Sequence, residues 1–341
     1  MDMKKILILI LTFLFIGNVK ALKIVSLGDS IPNGYLLSNS DNSFDNMFAD
    51  TLGADYYEFS YIGMRSDDLL RELDNDEIKD NIYNADIVII NIGANDLLDL
   101  LDYLDLSKVG IEIEYGTMPK IDFNSEFINN LKNYLQDFFV NELKPKVVEA
   151  ANDFSIIFPL IIEKVKEYNP NVRIIVNNLY NPFFNISVPL LKIDLSDIEQ
   201  TANEAIQSYN DIINNNSGYE IIDVYNTLRN NNYLNINPTT FSFDPHPNIK
   251  GHKKIYELYL KELCYKVTYD NKDYYVLKNG SIDIKPKKKT LYKFVKWNYD
   301  LNNVDKDVEL KAIYRFNYLY IVVLILAVVT AVVLILRRKK L

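Results

Sequence analysis

The stretch LKIVSLGDS, residues 22–30, decides the fold class of this 341-residue chain. Its first part, Leu22–Leu27, is a largely aliphatic run that ends in a turn sequence, which predicts a strand buried on both faces of a sheet. Four further runs of this kind predict strands over Tyr57–Ile62, Asp86–Ile92, Val172–Asn177 and Tyr219–Val224. Apolar residues at helical spacing predict helices over Ser66–Leu73, Ser125–Val140, Val147–Tyr168, Ile198–Asn214 and Asn248–Cys264. This alternation predicts an α/β domain over residues 22–264, with a parallel five-stranded sheet between two layers of helices.

Gly28-Asp29-Ser30 directly follows the first predicted strand. A serine hydroxyl is a weak nucleophile until a base takes its proton, so catalytic serines lie on turns that a histidine can reach. Ligands of open α/β sheets bind at the carboxyl ends of the strands, where Ser30 falls. Pro32 stands where the G-x-S-x-G nucleophile elbow has its second glycine, so the α/β-hydrolase pattern does not apply. Ser30 is therefore a candidate nucleophile, and a strand that merely ends in these residues is the alternative.

Two further strand ends carry groups that suit an oxyanion hole. Asn95 follows the third predicted strand, and a side-chain amide there can donate an N–H to a developing oxyanion. The alternative is a helix cap formed by Asn95 or Asp96. Gly63 follows the second strand, where a glycine either lets a backbone N–H approach a substrate oxygen or only relieves a tight turn.

The sequence Asp244-Pro245-His246-Pro247 presents a histidine between two prolines. A histidine held rigidly on a loop suits a general base. The chain has two histidines in all, and the other, His252, falls within the last predicted helix of the domain, where we expect a packing role.

In this order and at these distances, the blocks around Ser30, Gly63, Asn95 and His246 resemble the GDSL/SGNH hydrolase family over Leu22 to about Cys264. The resemblance implies a three-layer α/β/α, flavodoxin-like fold and a serine esterase that needs no metal and no cofactor. It implies Ser30 as nucleophile, His246 as base, and an oxyanion hole made by the N–H groups of Ser30 and Gly63 with the Asn95 amide. The family usually has its acid three residues before the histidine, where this chain has Phe243. Asp244, two residues before His246, is the expected orienting carboxylate, and a backbone carbonyl is the alternative.

Residues 265–315 predict a separate, small all-β module, because short Tyr, Val and Ile runs alternate there with Asn, Asp, Gly and Pro. The stretch LYKFVKWNYDLNNVDKDVELKAIY, residues 291–314, resembles the Listeria–Bacteroides type of cell-surface repeat, a β-grasp-like module. In this interpretation Trp297 belongs to the core of the module and does not bind a ligand.

Both ends of the chain predict contact with a membrane. Residues 1–21 have the basic start, the apolar stretch and the small residues Val19 and Ala21 of a cleavable signal peptide, and a buried N-terminal helix is the alternative. Residues 318–336 are apolar apart from Thr330 and are long enough to cross a bilayer. Four basic residues follow in the tail 337–341, which places the tail in the cytoplasm and the catalytic domain outside the cell. We therefore expect a single-pass cell-membrane protein.

The composition narrows the classes of partner. Residues 22–317 hold 30 basic and 45 acidic residues, a net charge of −15 that does not suit nucleic acid or anionic lipid, both of which bind patches of Lys and Arg. A single cysteine, Cys264, and two histidines make an intrachain disulfide impossible and a zinc site improbable.

The expected function is hydrolysis of a carboxylic ester through an acyl-serine. An O-acetyl group on wall polysaccharide and a lipid ester are both candidate substrates. Aromatic and aliphatic residues in Leu97–Phe123 and in NNLYNPFFNISVPLL, residues 177–191, suit an acyl pocket, although core packing explains them equally well. The alternative from another class is a non-catalytic surface adhesin on the same scaffold, supported only by the unusual spacing of Asp244.

Overall fold

The computed structural model describes residues 21–111, 124–184, 196–237 and 242–338. The predicted signal peptide lies outside this part of the chain except for Ala21, as does the last part of the Leu97–Phe123 segment. The chain divides into two compact units, Met1–Tyr259 and Leu260–Leu341.

The first unit contains the predicted parallel sheet. Its five strands are β1 (Lys23–Gly28), β2 (Asp55–Ser60), β3 (Ile87–Asn91), β4 (Arg173–Asn177) and β5 (Glu220–Ile222). They pair in the order β2-β1-β3-β4-β5, and every pairing is parallel. All five predicted strands are thus confirmed, with ends that differ by a few residues. A short antiparallel pair follows in the chain, formed by β6 (Leu234–Asn237) and β7 (Ser242–Pro247).

The helices of this unit are α1 (Phe44–Leu52), α2 (Ser66–Glu72), α3 (Asp76–Tyr83), α4 (Ala94–Leu98), α5 (Ser125–Asp137), α6 (Lys144–Tyr168), α7 (Ser196–Asn215), α8 (Val224–Thr227) and α9 (Ile249–Leu263), the last of which continues into the second unit. A π-helical segment, Phe138–Leu143, joins α5 to α6. Short 3-10 turns lie over Ser40–Asn42, Asp99–Tyr103, Leu106–Val109 and Asn231–Tyr233. The sequence patterns did not predict α1, α3 or α8.

The two faces of the sheet are covered by different helices. Side chains alternate along a strand, and on one face Val25 and Leu27 join a core that includes Phe154 of α6 and residues of α2, α3 and α7. On the other face the hydroxyl of Ser26 donates to the carboxylate of Asp45 in α1. The Tyr259 ring of α9 packs against the aromatic rings of α1, Phe44 and Phe48, with centroids 5.2 Å away in both cases. The predicted three-layer α/β/α arrangement is confirmed.

The second unit contains five short strands, β8 (Cys264–Tyr269), β9 (Lys272–Leu277), β10 (Tyr292–Trp297), β11 (Val308–Glu309) and β12 (Ala312–Phe316). β8 and β9 form a hairpin with β11 parallel to β8, while β10 pairs antiparallel with β12. Trp297 is half-buried and packs against a small core that includes Val267, Val304 and Leu310. The likeness to a β-grasp repeat remains a prediction.

The second unit ends in helix α10 (Leu319–Arg338), on which the predicted membrane span falls. Counting only the side chains that the structure describes, we find no helix that is both long enough and apolar enough to cross a membrane. The structure describes the side chains of α10 over residues 319–335, except that of Leu324. The predicted transmembrane anchor is therefore not confirmed.

Candidate active site

The turn that carries Ser30 is formed by the close approach of two strand ends. A Cβ atom on Gly28 would lie 2.1 Å from the backbone oxygen of Asn91 at the end of β3, so only glycine fits there. The Asp29 N–H donates to that same oxygen at 3.2 Å, which ties the turn to β3. Ser30 is 4% exposed and lies at the carboxyl edge of the sheet, as the sequence predicted.

Ser30, His246 and Asp244 form a continuous hydrogen-bonded relay. The Ser30 Oγ atom lies 2.7 Å from His246 Nε2, although the two residues are 216 positions apart in the sequence. His246 Nδ1 lies 2.6 Å from Asp244 Oδ1. The same carboxylate oxygen accepts the backbone N–H of His246 at 2.9 Å, so the two-residue spacing closes a tight loop on which the carboxylate reaches the ring. With Asp244 accepting from Nδ1–H, the Nε2 atom is free to take the proton of Ser30.

Contacts from other elements hold the loop of His246 in place. The Tyr180 hydroxyl donates to the backbone oxygen of Pro245 at 2.6 Å. Burial raises the pKa of Tyr180 well above its ordinary value, so this hydroxyl stays protonated and remains a donor. The Asn235 side chain donates to the backbone oxygen of His246 at 3.1 Å, and the Tyr35 ring meets the imidazole edge-on with centroids 4.8 Å apart.

The predicted oxyanion-hole residues differ in their placement. Asn95 is buried at the start of α4 and lines the same cavity as Ser30 and His246. Its amide donates one N–H to the backbone oxygen of Met64 at 2.9 Å, which fixes the amide and leaves its second N–H for an oxyanion. Gly63 has a φ of +80°, lies on an exposed turn and is not among the residues that line the cavity. The structure therefore brings together Ser30, His246, Asp244 and Asn95. The part of Gly63 in an oxyanion hole remains a prediction.

A chain of buried polar side chains runs across the sheet from the turn that carries Ser30. Asp29 Oδ1 accepts the backbone N–H of Ile31 at 3.0 Å and the Asn91 side-chain N–H at 3.1 Å. Asn91 in turn accepts from Asn177 at the end of β4 at 3.0 Å. The Asn177 oxygen accepts the Tyr259 hydroxyl of α9 at 2.7 Å. These bonds fix the end of β1 relative to β3, β4 and α9. These bonds were not predicted from the sequence, although two neighbouring buried strands, β3 and β4, both end in asparagine.

The buried carboxyl of Asp29 predicts a change of stability with pH. Burial raises the pKa of Asp29 to about 7, and its Oδ2 atom has no hydrogen-bond partner within the described part of the chain. Between the ordinary value of 3.8 and about 7, the folded protein binds a proton that the unfolded chain has lost. Stability therefore falls as the pH rises through this window, by at most about 1.4 kcal/mol per pH unit from this group.

The variant Asp29→Asn keeps the acceptor oxygen at Oδ1 and removes the titration. We expect the free energy of unfolding of the variant, minus that of the original chain, to increase from pH 4.5 to pH 7. Urea titration at several pH values measures both free energies. Other buried carboxyls, such as Asp45, remain in both proteins and cancel in the difference. Parallel pH curves for the two proteins would contradict the assignment of a buried proton to Asp29.

His252 has the packing role expected of it. It is fully buried, its ring stacks on Phe44 with centroids 6.3 Å apart, and Nδ1 accepts the backbone N–H of Phe44 at 3.3 Å. Burial lowers the pKa of His252 to about 4, so the ring is neutral at pH 7. Within the described residues, no group of three or more His, Cys, Asp or Glu side chains is placed to hold a metal ion.

A cavity of about 900 Å³, counted with its open mouth, extends from Ser30 and His246. Its wall is mainly apolar. It is formed largely by the described parts of Leu97–Phe123 and of residues 177–191, the two segments that were predicted to suit an acyl pocket. The π-helical segment, α6 and α7 complete it. The residues that contribute from these elements include Leu97, Leu98, Leu101, Phe139, Leu143, Val147, Leu179, Pro182, Phe183, Ala202, Ala205 and Ile206.

The chain is similar to proteins of one known family. The model of the GDSL-like Lipase/Acylhydrolase family matches residues 26–254. The "Uncharacterized protein YpmR" of Bacillus subtilis (strain 168) is 26% identical over 156 residues, which cover 46% of this chain and 47% of that protein. The chain thus spans about half the length of this curated relative.

Two solved lipolytic enzymes are similar at lower identity. The lipase Lip_vut3 from a goat rumen metagenome is 18% identical with a TM-score of 0.49, over 70% of this chain and 95% of that one. Phospholipase A1 from Streptomyces albidoflavus NA297 is 16% identical with a TM-score of 0.44, over 69% of this chain and 96% of that one. The family model covers well over half of the chain and includes Ser30, Asn95 and His246, so the chain belongs to the GDSL-like lipase/acylhydrolase family, whose members hydrolyse ester bonds.

Proposed function

We propose that the chain is a serine esterase in which Ser30 attacks the ester carbonyl and His246 takes its proton. The observation that carries the proposal is the relay of 2.7 Å from Ser30 Oγ to Nε2 and 2.6 Å from Nδ1 to Asp244. The imidazolium then gives the proton to the leaving alcohol, and water attacks the acyl-serine by the same route in reverse. The Asn95 amide and the Ser30 N–H stabilise the oxyanion in both steps. The close Asp244 contact supports this proposal over a non-catalytic adhesin, the alternative that the unusual spacing of Asp244 had favoured.

A fluorophosphonate probe tests the proposal directly, because it phosphonylates an activated serine with loss of fluoride. We expect stoichiometric labelling of the intact chain, with the added mass on the peptide that contains Ser30, together with hydrolysis of p-nitrophenyl esters. An unlabelled protein, or a label on another serine, would refute the assignment of the nucleophile.

The substrate that the cavity fits best is an ester with a hydrocarbon acyl chain. Each methylene that leaves water for an apolar wall contributes about 0.8 kcal/mol to binding. An acetyl group carries a single methyl, so it could cover only a small part of this apolar wall. We therefore propose that the enzyme prefers medium or long acyl chains to acetyl groups.

Narrowing the cavity is expected to shift this preference. Ala202 on α7 lines the cavity and is 9% exposed, so the variant Ala202→Phe fills space that the acyl chain would occupy. Displacing roughly two methylenes lowers kcat/KM for p-nitrophenyl octanoate by about tenfold. The acetate ester is the internal control and is hydrolysed by the variant at the original rate. An equal loss with both esters would place Ala202 outside the acyl-binding region.

We also propose that the enzyme is anchored in the cell membrane with its catalytic unit outside the cell. The support is the apolar run of residues 318–336 and the basic tail that follows it. In addition, the described apolar side chains of α10 are exposed to solvent. Carbonate extraction of cell membranes should leave the chain in the pellet, and protease added to intact cells should remove the esterase activity. Release of the chain by carbonate would exclude the anchor.

A further inference from the structure

The two compact units carry opposite charge. Residues 22–259 hold 17 basic and 37 acidic residues, a net charge of −20, whereas residues 260–317 hold 13 basic and 8 acidic residues, a net charge of +5. The basic residues of the second unit are concentrated in residues 284–299, which contain six lysines and no carboxylate. This separation of charge between the units indicates that the second unit does more than keep the protein soluble.

The antiparallel pair of β10 and β12 has two chemically different faces. One face is aromatic and half-buried, where Phe294 contacts Trp297 and Tyr314 with centroids 5.0 and 6.0 Å away. The other face, here called the basic face, consists of Lys293, Lys296, Ile313 and Arg315, all of them exposed. Lys293 lies directly opposite Arg315 in the register, and Lys296 lies opposite Ile313.

The charges of the basic face are not balanced by the protein. Like charges directly opposite each other on neighbouring strands are destabilising, so the pair Lys293–Arg315 carries a cost. In the described part of the chain, no carboxylate lies within ion-pair distance of Lys293, Lys296 or Arg315. Lys287, by contrast, is paired with Asp270 at 3.1 Å. The basic face is therefore preorganised for an external anion.

The same strand pair is joined directly to the start of α10. The backbone N–H of Asn317 donates to the oxygen of Leu291 at 2.7 Å, and the rings of Phe316 and Tyr318 are in contact with centroids 5.3 Å apart. Helix α10 begins at Leu319, three residues after β12 ends. At about 3.5 Å per residue, the basic face cannot lie far from the beginning of this apolar helix. Lysines, arginine and aromatic rings next to an apolar helix are the chemistry of the lipid headgroup region.

We propose that the basic face of β10 and β12 binds the phosphate headgroups of anionic phospholipids. The proposal rests on the membrane location proposed above. It assigns the second unit the task of fixing the catalytic unit to a membrane surface, and it explains why cations are gathered on an otherwise acidic protein. Each cation near an anionic surface contributes enough to change the ratio of bound to unbound states by about fivefold.

Trp297 is the only tryptophan of the chain and lies on β10, so its fluorescence reports on this strand pair. The full chain is reconstituted into vesicles of phosphatidylcholine, either alone or with phosphatidylglycerol added. We expect phosphatidylglycerol to reduce quenching of Trp297 by acrylamide and to increase quenching by brominated lipid, and we expect high salt to reverse both effects. In the double variant Lys293→Glu/Arg315→Glu the dependence on phosphatidylglycerol is lost.

The matched control is Lys272→Glu/Lys306→Glu, which changes the net charge of the same unit equally at exposed positions outside the basic face. It should retain the dependence on phosphatidylglycerol. Equal quenching in both kinds of vesicle would overturn the proposal, as would protection of Trp297 by soluble polyphosphate without any effect of phosphatidylglycerol. Flotation distinguishes the proposal of a membrane anchor from that of a headgroup site. A chain that floats only with anionic vesicles would support the headgroup site and contradict the anchor. A chain that floats with neither kind of vesicle would contradict both.

Discussion

Replacing Ser30 with alanine is expected to lower kcat for p-nitrophenyl octanoate by at least about 10⁴-fold and to abolish labelling by a fluorophosphonate. The variant removes the oxygen that lies 2.7 Å from His246 Nε2, so no covalent intermediate can form. The remaining rate would come from binding and from the oxyanion donors alone. KM should change little, because the apolar cavity is untouched. The measurement is steady-state kinetics, with thermal unfolding as the check that the variant is folded.

Ser60→Ala provides a matched control. Ser60 ends the neighbouring strand β2, is also buried at 3% exposure, and its hydroxyl has no partner in the described part of the chain. This variant should keep full activity and full labelling. A Ser30→Ala protein that still forms a covalent adduct would mean that another residue is the nucleophile.

Replacing Asp244 with asparagine is expected to lower kcat by up to about 10⁴-fold, as loss of the orienting acid does in other hydrolases of this mechanism. Asp244 Oδ1 accepts two N–H groups of His246, one from the ring at 2.6 Å and one from the backbone at 2.9 Å. An amide at this position can turn its NH₂ toward the ring, which favours the tautomer with the proton on Nε2. That tautomer cannot accept the proton of Ser30.

The kinetic signature distinguishes this effect from a general disturbance of the fold. Asp244→Asn should reduce kcat while KM for the octanoate ester stays nearly constant. The free energy of unfolding should fall by no more than about 2 kcal/mol, because one or two partly exposed hydrogen bonds are weakened. A variant with kcat close to the original would show that a backbone carbonyl suffices to orient the imidazole.

Part of the candidate site could be predicted from the sequence, because Ser30 and Asn95 follow the ends of buried strands. Parallel strands bring their carboxyl ends to one edge, so Ser30 and Asn95 had to lie near each other once the strands were recognised. The position of Asp244 could not be predicted in the same way. Its carboxylate reaches the ring because the loop folds back on the His246 backbone N–H, which is a matter of local geometry and not of spacing. Gly63 illustrates the opposite case, since its place after a strand did not bring it to the cavity wall.

Helix α3, which the sequence patterns missed, has few buried residues. The deeply buried residues of α3 in the core are Ile78 and Ile82, a single pair at helical spacing, which is too weak a signal beside the long pattern of α6. The polar chain from Asp29 to Tyr259 was missed for another reason. Its members lie on four separate elements, so their contacts exist only in the folded protein.

The long sequence separation of the relay has a consequence for the order in which the enzyme acquires activity. Ser30 is made early and His246 is made 216 residues later, so a growing chain carries the proposed nucleophile long before it carries the proposed base. The polar chain extends this requirement to Tyr259, which must also be synthesised before the end of β1 is fully fixed. Contacts of such separation form late in folding. Under the proposed mechanism, a chain that stops before this point, or that has not yet folded, would not hydrolyse the esters of the cell that makes it.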